Sequence, residues 1–373
     1  MSTLETNSIG KYSGNNVAVD DSLNLKSYST SARNALTSAA GDMIYNSDDN
    51  KVQVYTGSAW EDLGGATFEV AYLVIAGGGG GAGARGGGAG GGGAGGYLNS
   101  YASENSGDGS ATLTKAKILP GNSYTVTVGA GGSGGTNAYN SVGSTGSNSV
   151  FDTVVAVGGG GGSGSGSGLS TRGGSGGGAG ANLYAGTYND SSLAKYYRPA
   201  DGTIGQGNRG GYPVQIGVNN SIPGGGGGGS ATNGGTGLSN NRGGHGGTGT
   251  ASSITGTSVT RAGGGGAGGG GSNGNSYSAV GGDGQAGGGN GATANGTGTA
   301  GTANTGGGGG GSSSTHTNAY TGGTGGSGLV ILRYPNTFSI TLAGGAASAA
   351  GEQSGTNNEK YIEIQSSGTV SWA

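Results

Sequence analysis

Thr67-Phe-Glu-Val-Ala-Tyr-Leu-Val-Ile-Ala-Gly-Gly-Gly-Gly-Gly81 sets a β-strand directly against a run of glycine, and much of the chain repeats that juxtaposition. Phe68, Val70, Tyr72 and Val74 fall at every second residue, which places them on one face of a strand. The β-branched and aromatic content suits a pleated, half-buried surface. Working outward, Ser123-Tyr-Thr-Val-Thr-Val128 leads into Gly129-Ala-Gly-Gly132, and Val154-Val-Ala-Val157 leads into Gly158–Gly162. Gly328-Leu-Val-Ile-Leu-Arg-Tyr-Pro335 closes the region with another strand.

Glycine accounts for 102 of 373 residues, while 9% are charged and 30% hydrophobic, so a conventional core spanning the whole chain is not expected. Disordered chains combine low hydrophobicity with many charges and prolines. With 5 prolines and a net charge of -3, this chain has little repulsion to hold it open, and order or self-association is the expectation. Long glycine tracts fold only if something offsets their loss of backbone freedom. A polyglycine II helix, with three residues per turn, turns its N–H and C=O groups sideways toward neighbouring helices. A bundle of such helices is the expected arrangement, with Gly224–Gly229 and Gly306–Gly311 innermost and runs broken by Ala, Ser or Asn peripheral. A flexible linker and a silk-like sheet at 162–168 are the structural alternatives. The fold class expected is all-β, with polyglycine II helices inserted between strands.

Three regions follow from composition. Residues 1–65 are acidic and poor in glycine, and Met43-Ile-Tyr45, the turn 47–50 and Val52-Gln-Val-Tyr55 predict a β-hairpin capped by Trp60, with a short helix over 33–40. Residues 66–336 form the glycine-rich region. Residues 337–373 predict a short C-terminal β tail built from Phe338–Leu342, Lys360–Ile364 and Thr369–Trp372.

The composition excludes most chemistry. GxGxxG matches are inevitable at this glycine content and carry no information, and no phosphate-binding G-x-x-x-x-G-K-[ST] occurs. His245 and His316 stand alone, and Asp283 is the one acidic residue between 202 and 335, so no carboxylate pair serves hydrolysis there. Without cysteine there is neither a disulfide framework nor a thiolate metal site. The expectation is no enzyme, no catalytic residue, no metal and no cofactor. The near-zero charge argues against nucleic acid, which calls for a basic stripe. No apolar run is long enough to span a membrane, and the polar first residues lack the apolar segment of an export signal.

One segment interrupts the glycine. Asn182–Pro223 contains Tyr184, Tyr188, Lys195, Tyr196, Tyr197, Arg198, Arg209 and Tyr212, the candidate receptor-binding residues. Tyrosine supplies 18 of the aromatic side chains against 3 Phe and 2 Trp, and surface tyrosines give rigid amphipathic contact area suited to recognition. Equally, the same rings would serve to cap the ends of the bundle against water.

Tyr28-Ser-Thr-Ser-Ala-Arg-Asn-Ala-Leu36, Gly41-Asp-Met-Ile-Tyr-Asn46 and Val52-Gln-Val-Tyr-Thr-Gly-Ser-Ala-Trp60 resemble a connector common in structural and tail-fibre proteins of tailed phages. Tyr72-Leu-Val-Ile-Ala-Gly-Gly-Gly-Gly-Gly81, closed by Gly328–Pro335, resembles the glycine-rich domain of phage fibre proteins. It is similar also to the glycine-rich ectodomain of anaplastic lymphoma kinase-type receptors. That resemblance implies a TNF-like or jelly-roll β-sandwich with polyglycine II helices inserted between strands. Related phage adhesins contact the host through loops at the ends of their helix layers. Lacking cysteines and a kinase, the chain does not inherit the receptors' signalling. The expected function is a virion fibre or adhesin component, assembled in host cytoplasm without a signal peptide. Residues 1–65 would attach to other virion proteins, the chain would form a homotrimer, and the glycine-rich region would meet a host surface glycan or outer-membrane protein. The alternative is a purely architectural virion protein, such as a head fibre, decoration or tail accessory, without receptor binding.

Overall fold

The computed structural model describes residues 24–63, 67–136, 141–164, 169–181, 198–213, 222–238, 240–270, 279–314 and 318–373. The chain divides into two compact units, Met1–Ala66 and Thr67–Ala373.

The first unit carries a four-stranded sheet in the order β1 (Ser27–Tyr28), β2 (Met43–Asn46), β3 (Lys51–Tyr55) and β4 (Trp60–Asp62). Its helix α1 spans Thr30–Asn34, earlier than the 33–40 expected from sequence. Ser29 sets the start, because its Oγ accepts the Ala32 N–H at 3.2 Å. Buried amides join the elements. Gln53 Oε1 accepts from Arg33 Nη1 at 2.7 Å and from Asn46 Nδ2 at 3.1 Å, while Gln53 Nε2 donates to Asp62 at 2.8 Å. Trp60 packs on Tyr55 with ring centroids 5.3 Å apart.

In the second unit the strands are β5 (Phe68–Ile75), β6 (Gly87–Gly88), β7 (Tyr97–Asn99), β8 (Ala116–Ile118), β9 (Ser123–Thr127), β10 (Ser149–Phe151) and β11 (Val154–Ala156). They continue with β12 (Thr250–Ser252), β13 (Val259–Arg261), β14 (Ser313–Ser314), β15 (Leu329–Pro335), β16 (Ile340–Ala343), β17 (Gln353–Ser354), β18 (Glu359–Ile364) and β19 (Gly368–Trp372). One sheet runs β17-β18-β15-β5-β7 with β8 also on β5, and a second runs β11-β10-β9-β19-β16. Phe68, Val70, Tyr72 and Val74 of β5, with Val330, Leu332 and Tyr334 of β15, face Val126, Phe151, Val370 and Trp372 across the interface. The protein is therefore all-β, with two antiparallel sheets packed face to face. The reverse face of β5 is buried too. Leu73 and Ile75 join Leu329, Ile331, Tyr97 and Ile254 in a separate cluster. Residues 337–373, expected to form a tail, instead supply strands to both sheets: β18 pairs with β15, and β19 lies between β9 and β16.

The glycine tracts form a bundle of extended helices whose hydrogen bonds have a period of three. Along 76–84, the N–H groups of Ala76, Gly79 and Ala82 bond to the carbonyls of Gly96, Gly93 and Gly90. Those of Gly77, Gly80 and Gly83 bond to 141–147, and those of Gly78, Gly81 and Ala84 to 320–326. The carbonyls repeat the pattern. Gly77 and Gly80 accept from 159–162, Gly78 and Gly81 from 132–135, and Gly79 and Ala82 from 309–312. Three N–H directions and three C=O directions reach six different neighbours, which is the hydrogen-bonding of polyglycine II packed hexagonally. None of Gly77–Gly81 has positive φ.

The segments 88–96, 224–229, 262–269 and 306–312 are surrounded in the same way, so both all-glycine runs are interior, as their composition predicts. The reason is steric. A Cβ on Gly78 would fall on the Gly307 carbonyl, one on Gly79 on the Gly160 carbonyl, and one on Gly81 on the Gly310 carbonyl. Each bond contributes about 1 kcal/mol net, similar to the ~1–2 kcal/mol of backbone entropy each residue loses. An isolated helix therefore fails, and only the complete bundle, with both backbone groups of each residue bonded, is stable. Gly162 and Ser163 bond to Gly80 and Gly178 within this bundle, which replaces the silk-like alternative for the described part of 162–168.

Candidate binding surface

On rim helices such as 242–250 and 320–328, one residue in three points away from the packed carbonyls, and that position carries the side chains. Helix 242–250 reads Arg242-Gly-Gly-His-Gly-Gly-Thr248, and 320–328 contains Thr321-Gly-Gly-Thr-Gly-Gly-Ser327. The glycines at the other two positions face neighbouring backbone, as for Gly243 against Ala267 and Gly322 against Gly81. Successive outward side chains are about 9 Å apart at ~3.1 Å per residue. The outer helices thus display ladders of chosen side chains on a rigid lattice. On one of them His245 Nδ1 accepts the Asp283 N–H at 3.0 Å and lies 3.1 Å from the Asp283 carboxylate, with Arg242 3.5 Å from the same oxygen. His245, solitary in sequence, belongs to this surface cluster.

Of the candidate receptor-binding residues, Tyr184, Tyr188, Lys195, Tyr196 and Tyr197 lie outside the described residues, as does His316. Arg198, Arg209 and Tyr212 are described. Residues 198–202 run parallel to 169–173 through the bridges Leu169–Arg198 and Gly173–Gly202. The chain turns at Gly205, where φ is +80°, and 206–213 then docks as an outer helix. Arg209 and Tyr212 take its outward positions, whereas Gln206 turns in on the 155–157 backbone, its Oε1 accepting the Val157 N–H at 2.8 Å and its Nε2 donating to the Val155 carbonyl at 3.2 Å. Arg209 and Tyr212 come together, with the guanidinium carbon 5.0 Å from the ring centroid and Nη1 3.4 Å from the phenol oxygen. Arg198 stands apart from them, exposed, with its carbonyl accepting from Ser170 Oγ at 3.2 Å.

Beside Arg209 opens a groove of about 430 Å³, whose charged lining is Asp108, Arg172, Asp201 and Arg209, with Ile204 and the amides of Asn208 and Asn233. Arg172 and Asp201 pair across it at 3.0 Å, both well exposed. Ile204 at the turn is 89% exposed, the most open large apolar side chain described. Asp108 sits in the left-handed region with φ +59°, which Asp tolerates better than most residues. Its N–H is tied to the Ser230 carbonyl at 2.7 Å. Asn208 Nδ2 donates to the carbonyls of Gly229 and Ser230 at 3.1 and 3.0 Å, which holds the amide in place. Asn233 Oδ1 accepts the Arg209 N–H at 3.2 Å. Arg209 Nε is buried without a hydrogen-bond partner in the described structure.

Sequence reasoning found Arg209 and missed Asp108, Arg172, Asn208 and Asn233. These arrive from separate stretches brought together by bundle register. The usable signal was the three-residue spacing of outer helices, which sets Arg209 and Tyr212 on one line.

A second polar cluster lies at the sheet end of the bundle. Glu104 accepts from Ser253 N at 2.7 Å, Ser253 Oγ at 2.6 Å, Asn99 Nδ2 at 3.0 Å and Ser252 Oγ. Burial works to raise its pKa, and the bonds from Ser252, Ser253 and Asn99 together overcome this and hold it below the ordinary 4.5. Burial, with the Glu104 charge, raises the pKa of the neighbouring Tyr97 phenol. Arg333 is likewise buried and fully engaged, through Glu359 at 2.6 Å, the Ile254 carbonyl at 2.9 Å and Thr356 Oγ1 at 2.7 Å. These are structural networks. Among the described residues no group of three or more His, Asp or Glu side chains is placed to hold a metal ion. No described helix is long and apolar enough to cross a membrane.

Fold and surface define a class, an all-β sandwich from whose strands a polyglycine II bundle is extended. The chain belongs to the glycine-rich domain family, which matches residues 53–335. No curated protein matches it.

Proposed function

We propose that this chain is a structural component of a virion fibre or adhesin, in which the N-terminal unit attaches to other virion proteins and the glycine-rich unit meets the host surface. The observation that carries this reading is the division of labour inside the bundle. Interior helices are bonded to neighbouring backbone on all sides and have no room for a side chain at their glycine positions. Outer helices and their connections are therefore the positions where sequence is free to specify contact. Such a scaffold tolerates surface change without loss of its core, which suits an attachment protein. The phage-connector resemblance of 28–60 and the tyrosine-rich interruption at 182–223 support the same reading, and a homotrimeric assembly of TNF-like sandwiches is part of the proposal.

The test is competition. An excess of purified chain should block adsorption of particles that carry it, and labelled chain should decorate host cells. If it binds no host cell or envelope extract while particles lacking it fail to assemble, the architectural reading replaces the adhesin. That second reading is favoured by one observation, the saturation of the interior backbone, which needs no partner to be stable. Deleting 182–223 whole would not separate the two. Asn208 and Gly211 donate to the 224–229 helix, so the deletion would unpick the bundle along with any contact surface.

A further inference from the structure

We propose that the groove flanked by Arg172, Asp201, Ile204 and Arg209 is a binding site for an uncharged glycan, about two sugar units long. The inference rests on the host-contact reading for its biological setting, and on the groove alone for its chemistry.

Charge decides the class of ligand first. Two carboxylates, Asp108 and Asp201, stand against two guanidinium groups, Arg172 and Arg209, so the lining has no net charge to offer a polyanion or a basic peptide. Arg172 is already paired with Asp201, and Arg209 lies over the Tyr212 ring. What remains is a mixed set of donors and acceptors. Asn208 spends its Nδ2 on two carbonyls, which leaves Oδ1 to accept. Asn233 spends Oδ1 on the Arg209 N–H, which leaves Nδ2 to donate. The Asp108 carboxylate accepts only, and the exposed Arg172 guanidinium has donors beyond the Nη2 that faces Asp201. Vicinal hydroxyls, each both donor and acceptor, satisfy such a set, whereas a hydrocarbon ligand would strand it.

Held geometry is the second argument. Asp108 is fixed in a left-handed turn by its bond to Ser230, and both amides are tied to backbone, so little side-chain freedom remains to be lost on binding. Ile204, almost fully exposed, offers an apolar surface for the C–H face of a pyranose ring. A protein partner would want a cluster of buried aromatic and apolar anchors, and the groove has a single aliphatic side chain. A volume of about 430 Å³ falls in the small-ligand range and accommodates a disaccharide.

The experiment is ligand-observed NMR and titration calorimetry on the full chain, with maltotetraose, cellotetraose, mannotetraose and galactotetraose as neutral probes. Sialyllactose and a heparin tetrasaccharide serve as anionic ones. At least one neutral probe should saturate. Asp108→Asn, which keeps the turn, and Asn233→Ala should each weaken it about tenfold. Ile204→Ser should weaken it severalfold, and its exposure guards against a folding defect. Raising the salt should change the affinity by less than about twofold, because screening acts on net charge. The proposal is overturned if no neutral probe binds, if the anionic probes bind in preference, or if the three variants bind like the parent. Parent and variants that adsorb equally to cells would remove the groove and leave the adhesin reading intact. Saturable binding of a neutral probe by a chain that ignores host cells would keep the groove and remove that reading.

Discussion

A single residue in the bundle is judged by its phase. Gly309 donates to Gly79 and accepts from Gly92, and a Cβ placed on it would strike the Gly323 carbonyl. Backbone on every side cannot retreat, so Gly309→Ala should cost ~3 kcal/mol or more. Thr324, on the neighbouring outer helix, occupies the outward position and is exposed. Thr324→Ala should stay within about 0.5 kcal/mol. Urea denaturation of both variants measures the contrast, and equal effects would contradict the three-residue phase. Arg333 is the opposite kind of residue, a buried cation whose guanidinium bonds to Glu359, Thr356 and the Ile254 carbonyl while packing 4.9 Å from the Tyr101 ring. Arg333→Met leaves those acceptors unanswered and should cost about 3 kcal/mol. Arg333→Lys should recover little of it, since one ammonium cannot reproduce the planar fork. Recovery of parental stability by Lys would show that charge alone matters there.

At the scale of elements, Glu104 ties the region after β7 to the β12–β13 hairpin, and the tie is sensitive to acid. Its folded pKa lies below its ordinary 4.5, so the stabilisation is complete above that value and is lost as pH falls through the lower, folded one. The urea midpoint of the parent should therefore approach that of Glu104→Gln as pH drops below about 4.5. Near neutrality the two should stay apart. A gap that remains constant into acid would remove the carboxylate from the account.

Strands were the legible elements. β5 and β15 could be read because alternation and β-branching are local properties, and β18 and β19 were equally visible as strands. What they pair with was not, since an antiparallel partner leaves no mark on its own sequence. For that reason 337–373 looked like a tail although it completes both sheets. The second buried face of β5 had a signal in the unbroken apolar run Tyr72–Ala76, which alternation alone understates. In the bundle, the innermost tracts were legible because only glycine fits where all three phases meet backbone. The groove was not. Asp108, Arg172 and Asn233 meet through hydrogen-bond register between backbones, and register without side chains writes nothing into the sequence.

Across the second unit as a whole, the two parts are stabilised by different physics, and calorimetry can tell them apart. The sandwich buries Trp372, Phe151, Tyr334 and their neighbours, the ordinary hydrophobic arrangement. The bundle buries peptide groups against peptide groups, with alanine as its main apolar content in clusters such as Ala82, Ala84 and Ala89. Exposing apolar surface raises the heat capacity by about 0.45 cal/mol/K per Å², while exposing polar surface lowers it by about 0.26. Unfolding the bundle releases much of the second kind and little of the first. The heat capacity of unfolding per residue should accordingly fall well below the ~12–15 cal/mol/K of ordinary domains, with a correspondingly flat stability curve. Stability should then depend less on temperature near ambient than a sandwich alone would allow, because hydrogen-bond enthalpy weakens less on cooling than hydrophobic burial does. Scanning calorimetry over a series of pH values gives this slope directly. A value in the usual range would mean that the sheets unfold while the glycine helices contribute no cooperative transition.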